Sequence, residues 1–307
     1  MSNSLKIAYP LPWFSIQDHI IRLKADGLTI LETTQASEFL GHVGYYAVSG
    51  YCLAFQDATK RFTSTVTFDQ IQSAYRFDVQ LRDLLNEALE WIEIDLCATV
   101  SNYFGKQYGP FGHTEAGSFH QQFSYTTSHS SWLTKLHEEA KRSQEPFVNH
   151  FNQTYIEYPD LPIWVAVEIM SFGSLSHMIS AMKKHDRRQV ANDYGVSPGG
   201  LAKAVHHFTY IRNLCAHHSR LWGKVWKIMP ELPNDTEWSG QNTVSNRRLF
   251  STFLLIRHML KRRPSINGES NEWRKRVTSL LQVLPEVPDP HGLLGLPINW
   301  TQHPVWQ

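Results

Sequence analysis

From Ser197 onward the chain has little choice but to form a helix. A serine followed by proline is a strong helix opening, because the hydroxyl can accept from the first unpaired amides and proline is tolerated at the first helical position. Leu201, Ala204, Val205, Phe208, Ile211, Leu214, Cys215, His218, Leu221 and Trp222 then recur at spacings of three and four, the period of one buried helical face. The pattern predicts one helix continuing to Lys224, with His218 turned toward the core. Further helices are predicted over residues 16–25, 35–43, 67–104 with a break near Phe77, 131–143, 147–155, 163–170, 247–262 and 271–284. The aromatic segment holding Tyr45, Tyr46, Tyr51 and Phe55 reads as core packing before it reads as a base-stacking surface. No strand alternation, internal repeat or glycine-rich phosphate loop is present, and Gly173-Ser174-Leu175-Ser176 lacks the second glycine of a hydrolase elbow. The expected fold class is all-α, a helical bundle.

Composition narrows the function. With 307 residues, 42% hydrophobic and 19% charged, the chain can bury a sizeable core and is too apolar for disorder. A net charge of +1 does not by itself select nucleic acid, but the distribution is uneven. Tyr194 through Pro230 contains no acidic residue while carrying Lys203, Arg212, Arg220, Lys224 and Lys227. Trp238 to Gly268 is also free of acid and holds Arg247, Arg248, Arg257, Lys261, Arg262 and Arg263. Such runs suit phosphate contacts, and equally suit solvated helix faces. Three widely spaced cysteines argue against a disulfide framework and a cysteine metal site, so the expected compartment is the reducing cytoplasm. Met1-Ser2-Asn3-Ser4-Leu5-Lys6 lacks the features of an export signal, and Glu168 interrupts the best apolar run, so no membrane association is expected. Residues 105–131 read as a long irregular loop; His113, His120 and His129 within it match no ligand spacing, and neither metal nor cofactor is expected.

On the helix opened by Ser197, Asn213, His217, Arg220 and Lys224 follow at steps of four, three and four, a stripe opposite the buried face. Arg212 lies five residues before His217, about 140° around an ideal helix, so its side chain must swing to share a phosphate with that histidine. The chemistry open to such a group is narrow. A histidine exchanges a proton near neutral pH, an arginine holds two phosphate oxygens, and an amide orients either. That suits metal-independent cleavage of RNA by its own 2′-hydroxyl. A second proton-transfer group is required for the leaving 5′-oxygen, and a second copy of the chain supplies it most simply. Two other readings remain at this level: a helix whose polar residues merely hydrogen-bond across a bundle, and a module that binds or senses RNA without cutting it. Nucleotidyl transfer is a weaker third. Glu90, Glu93 and Asp95 do not share one face, and Glu93 reads as a structural polar contact.

Arg212-Asn213-Leu214-Cys215-Ala216-His217 resembles the signature of the HEPN superfamily of helical ribonucleases. The full run through Trp222 is more specific. With Gly44-Tyr45-Tyr46 and Ser49-Gly50-Tyr51, Tyr75-Arg76-Phe77-Asp78 with Leu81-Arg82, Ile92-Glu93, and Pro162-Ile163-Trp164 through Ser176, it resembles the Abi-like abortive-infection family of bacterial phage-defence proteins. Ala47 stands where members often carry a basic residue. The resemblance implies a HEPN-like bundle with additional N-terminal helices and the loop 105–131 inserted. The expected domain organisation is an N-terminal helical segment at 1–64 packed on a HEPN-like core at 65–284, and the proline-rich stretch 285–307 reads as an irregular tail held by Trp300 and Trp306. The resemblance further implies a toxin-like endoribonuclease, and the need for a second proton-transfer group makes the expected working form a homodimer with a composite active site. Arg212, Asn213 and His217 would be catalytic, and Lys203, Arg220, Lys224 and Lys227 would contact RNA. A small regulatory or antitoxin RNA is a partner the resemblance leaves room for.

Overall fold

A computed structural model describes residues 12–63, 65–123 and 126–307. Among the described residues there are thirteen α-helices and no strand, only isolated bridges such as Thr29 to Thr67 and Phe119 to Met182. The all-α expectation holds. No helix among the described residues is long and apolar enough to cross a membrane. The chain divides into two compact units, one comprising residues to Phe77 with Pro285–Pro290, the other Asp78–Leu284 with His291–Gln307.

The first unit contains α1 (Ile16–Ala25), α2 (Thr33–Val43), α3 (Tyr45–Cys52) and the start of α4 (Phe68–Tyr108). Ser15 and Asp18 form a capping box that opens α1, each side chain satisfying the other's backbone amide. Gly27 then turns the chain at φ +101; a Cβ there would sit 2.9 Å from the Phe62 carbonyl oxygen, so only glycine fits. The aromatic segment, which carried no helix prediction, forms α3. Its rings divide: Tyr51 is buried and packs edge-on against Tyr75, Tyr45 stacks on His19 with centroids 3.8 Å apart, and Tyr46 is exposed.

α4 opens where Thr67 and Gln70 cap each other, as their spacing suggests. The expected break near Phe77 does not occur. No proline or glycine interrupts residues 68–104, and the helix runs uninterrupted for 41 residues. In the second unit Leu81, Leu85, Ala88, Leu89, Ile92, Leu96, Val100 and Phe104 are fully buried along one side of α4. α5 (His129–Arg142), α6 (Pro146–Thr154), α7 (Ile163–Ile169), α8 (Phe172–Ala181), α9 (Lys184–Asp193), α10 (Pro198–Ala216), α11 (Leu249–Leu260) and α12 (Asn267–Gln282) follow, then the short α13 (Pro290–Leu294). Every residue of α11 is buried, so this helix runs through the interior of the second unit. The tail is not wholly irregular, since it contains α13, but Trp300 and Trp306 are buried and the Trp306 indole donates to Thr278 at 3.1 Å.

α4 extends to Tyr108 and two short 3₁₀ turns, Gly112–Thr114 and Ala116–Ser118, lie in the stretch read as structureless loop. Phe119, Phe123, His129 and Trp132 pack ring against ring there, which anchors it. Lys184, Arg187 and Arg188 lie within α9, and Lys183 stands at its N-cap. Arg187 turns inward to donate to the Ser180 carbonyl at 2.6 Å, while the buried Asp186 accepts from Tyr103 and Tyr108 at 3.0 and 2.6 Å.

Candidate active site

The opening of α10 is as its sequence dictates. Ser197 accepts from the Gly200 amide at 2.8 Å, Pro198 occupies the first turn, and Leu201, Ala204, Val205, Phe208, Ile211 and Cys215 are buried. His207, which the pattern did not single out, is also fully buried. Its ring is held between the Ile228 carbonyl at 2.6 Å and the Thr252 hydroxyl at 2.9 Å, and burial pushes its pKa down to about 4.

The end of α10 differs from expectation. The helix stops at Ala216 instead of continuing to Lys224. His217 caps it, His218 takes a left-handed φ of +52, and the Ser219 amide reaches back to the Leu214 carbonyl at 2.8 Å. His218 is therefore exposed, not core-facing, and Arg220 and Lys224 do not continue a helical stripe. Leu221 and Trp222 are still buried, which is why the apolar spacing looked unbroken. Asn213 and His217 are both exposed, as predicted.

What holds the segment after α10 is Asp78 on α4. Its carboxylate accepts from the Trp222 amide at 2.8 Å and the Leu221 amide at 3.1 Å, and from the Arg82 guanidinium at 2.7 Å. The Asp78–Arg82 spacing suggests a surface pair, but the side chains are 0% and 6% exposed. This is a buried ion pair that also ties down two backbone amides, in the immediate neighbourhood of His217. The Arg82 and Asp78 charges also act on the Cys215 thiol, whose pKa is pushed up to about 12, first of all by burial. A thiol in that state is not a nucleophile.

Arg212 projects from α10 toward α4. Its Nη2 sits 3.4 Å from both carboxylate oxygens of Glu93, so Glu93 is the polar contact its surroundings suggested. Burial raises the Glu93 pKa, an effect that Arg212 opposes and Glu90 reinforces. Asp95, two residues on, serves other partners, accepting from Tyr194 at 2.7 Å and from Arg263 at 2.9 Å. No hydrogen bond joins Arg212 to His217 or Asn213 among the described residues.

The cations expected at RNA separate into two kinds. Lys203 is tied to Glu231 at 2.8 Å, the same carboxylate that accepts from Ser197, so the acid just beyond the acid-free run neutralises it. Arg220, Lys224 and Lys227 have no carboxylate partner among the described residues. Lys224 is half-buried, and its pKa is lowered by burial first and then by Arg220, with Asp78 pulling the other way. Arg248 donates to the Gly223 carbonyl at 2.9 Å and the Trp226 amide to the Arg247 carbonyl at 2.9 Å, which brings the second acid-free run beside the first. In the sequence the two runs are separate. The Asp78 anchor has no local signal beyond an ordinary Asp-Arg spacing.

The sequence model of the Abi-like protein family matches residues 38–223. That match takes in α3, α4 and all of α10, and ends just past the Trp222 amide held by Asp78. No curated protein and no solved structure matches the chain. Since the match covers more than half of its length, the chain belongs to the Abi-like protein family.

Proposed function

We propose that this protein is a metal-independent endoribonuclease of the HEPN type that acts as a toxin-like effector in phage defence. The observation that carries the reading is the end of α10: a helix of an Abi-like protein presents Asn213 and His217 to solvent, with Arg212 on the same helix and Arg220 and Lys224 just beyond. His217 takes the proton from a ribose 2′-hydroxyl. The 2′-oxygen then bonds to phosphorus, Arg212 stabilises the charge on the phosphorus oxygens, and Asn213 orients one of these groups. The bond to the 5′-oxygen breaks as that oxygen is protonated, leaving a cyclic 2′,3′-phosphate and a 5′-hydroxyl. His217 of a second copy donates that proton, so the active site is composite and the working form a homodimer. In a single chain Arg212 is engaged by Glu93 and not by His217, which suits a site completed on assembly.

The same contact favours a second reading, an RNA-binding or RNA-sensing module that uses Arg220, Lys224 and Lys227 without cutting. The discriminating experiment is cleavage of mixed cellular RNA in excess EDTA by wild type and His217→Ala, with product ends mapped. Cyclic or 3′-phosphate ends from wild type alone support the nuclease. Equal RNA binding by both proteins with no cleavage by either, after any co-purifying small RNA has been stripped, supports the sensing module.

A further inference from the structure

A second group of basic side chains lies in the same unit and takes no part in the site above. The Trp132 indole of α5 donates to the Ser174 carbonyl of α8 at 3.0 Å. The Thr209 hydroxyl of α10 donates to the Phe172 carbonyl of α8 at 3.4 Å. One turn along from these contacts, Lys135 follows Trp132, His177 follows Ser174, and His206 precedes Thr209. Three helices thus bring a lysine and two histidines toward one another. The electrostatics agree, since the pKa of His177 is lowered by burial first, then by His206 and by Lys135. The other charges on these helices near the group are Glu139, whose carboxylate is 3.9 Å from the Lys135 amine, Glu138, one turn from Lys135, and Lys203, one turn from His206 and paired with Glu231 at 2.8 Å. α8 carries no charged residue of its own apart from His177.

These histidines differ from the structural ones. His207, His258 and His303 each hold a backbone carbonyl and a further polar group with their rings, at 2.6, 2.8 and 3.0 Å for the carbonyls. His177 is half-buried and His206 exposed, and among the described residues neither ring has a hydrogen-bond partner. Two imidazoles with unused nitrogens can each turn an N–H toward an anion beside the Lys135 ammonium, for which the Glu139 carboxylate competes. His206 also shares a face of α10 with Asn213 and His217, seven and eleven residues on. Eleven residues span about 16 Å of helix, a distance of a few nucleotides.

We propose that Lys135, His177 and His206 form a second anion site, which holds a backbone phosphate of the RNA strand a few nucleotides from the phosphate at His217. The assignment to RNA rests on the ribonuclease reading; the anion site itself does not. A bound phosphate favours the imidazolium form, so binding draws protons onto the two histidines and strengthens as pH falls.

The test uses full-length protein with isotope-labelled histidine, titrated with inorganic phosphate at pH 6 and pH 8 against sodium chloride of equal ionic strength. The expected result is a saturable shift of the His177 and His206 ring signals at pH 6, greatly weakened at pH 8 and reduced by Lys135→Met. Signals that respond to chloride as they do to phosphate would overturn the site. In a second arm, single-stranded RNA should displace the phosphate, and His177→Gln/His206→Gln should bind that RNA about threefold to tenfold more weakly at pH 6 while matching wild type at pH 8. Phosphate binding that RNA does not displace would overturn the RNA assignment. Cleavage by wild type with unmoved ring signals would sink this site and leave the nuclease standing. Moved signals and RNA competition in a protein that cuts nothing would do the reverse.

Discussion

Replacing Asp78 by alanine separates two accounts of the same pair of residues. An exposed pair at this helical spacing is worth about 0.3 to 0.5 kcal/mol, so its loss would scarcely register. The geometry demands more. The Asp78 carboxylate is fully buried, Arg82 is 6% exposed, and the bonds to the Trp222 and Leu221 amides measure 2.8 and 3.1 Å. Removing one member of a buried ion pair costs about 3 to 5 kcal/mol, because the remaining charge is stranded. Each amide left without an acceptor adds about 1 to 3 kcal/mol when buried. These costs overlap, since all three donors converge on one carboxylate, and the expected total is about 4 to 5 kcal/mol. At about 2 to 4 °C per kcal/mol for domains of this size, the unfolding midpoint should fall by about 10 °C or more.

Thermal and urea unfolding followed by tryptophan fluorescence reads this directly, since Trp222 lies at the anchor. Asp78→Asn retains one acceptor oxygen and should cost roughly half as much as alanine. Asp78→Leu/Arg82→Met, which removes both charges, should lie closer to wild type than Asp78→Ala. A loss of less than about 1 kcal/mol for Asp78→Ala would mean that this carboxylate does not anchor the segment after α10.

Arg220→Gln and Lys224→Met should each weaken RNA binding and flatten its logarithmic salt dependence by about 0.7, the value for one phosphate contact to a single strand; Lys203→Met, already neutralised by Glu231, should flatten it far less. An unchanged slope for Arg220→Gln would remove that residue from the interface. Glu93→Gln keeps the shape of the Arg212 contact without its charge, so the guanidinium should be freer to take a phosphate and RNA should bind about twofold to fivefold tighter. Weaker binding would mean instead that the carboxylate holds Arg212 in its working position. His207, His113 and His258 are kept neutral in the fold with pKa values of about 4, so the unfolded chain binds more protons between pH 6.5 and 4. Stability should therefore be full above about pH 6.5 and fall as pH drops toward 4. His207→Gln should reduce that slope by about 1.4 kcal/mol per pH unit, and an identical slope in the variant would contradict the assignment.

Local signals were legible in the sequence and distant ones were not, and α10 shows the boundary between them. Its opening depends on Ser197 and Pro198 acting on their immediate neighbours, so it could be read outright. Its end depends on His218 accepting a φ of +52 without being glycine, which nothing beside it announces. That conformation coexists with the amides of Leu221 and Trp222 being held by a carboxylate more than 140 positions earlier. The same limit explains the charges. Asp78 and Arg82 read alike whether exposed or buried, and Lys203 reads as a free cation until the fold brings Glu231 to it. His177 and His206 are unremarkable apart, because only the packing of α8 on α10 makes them neighbours. Two blocks that carried the family resemblance, Tyr75 to Arg82 and the run ending at Trp222, looked like independent motifs. Asp78 joins them, so a substitution in the first should act on the turn that follows His217 in the second, without touching any residue of the proposed chemistry.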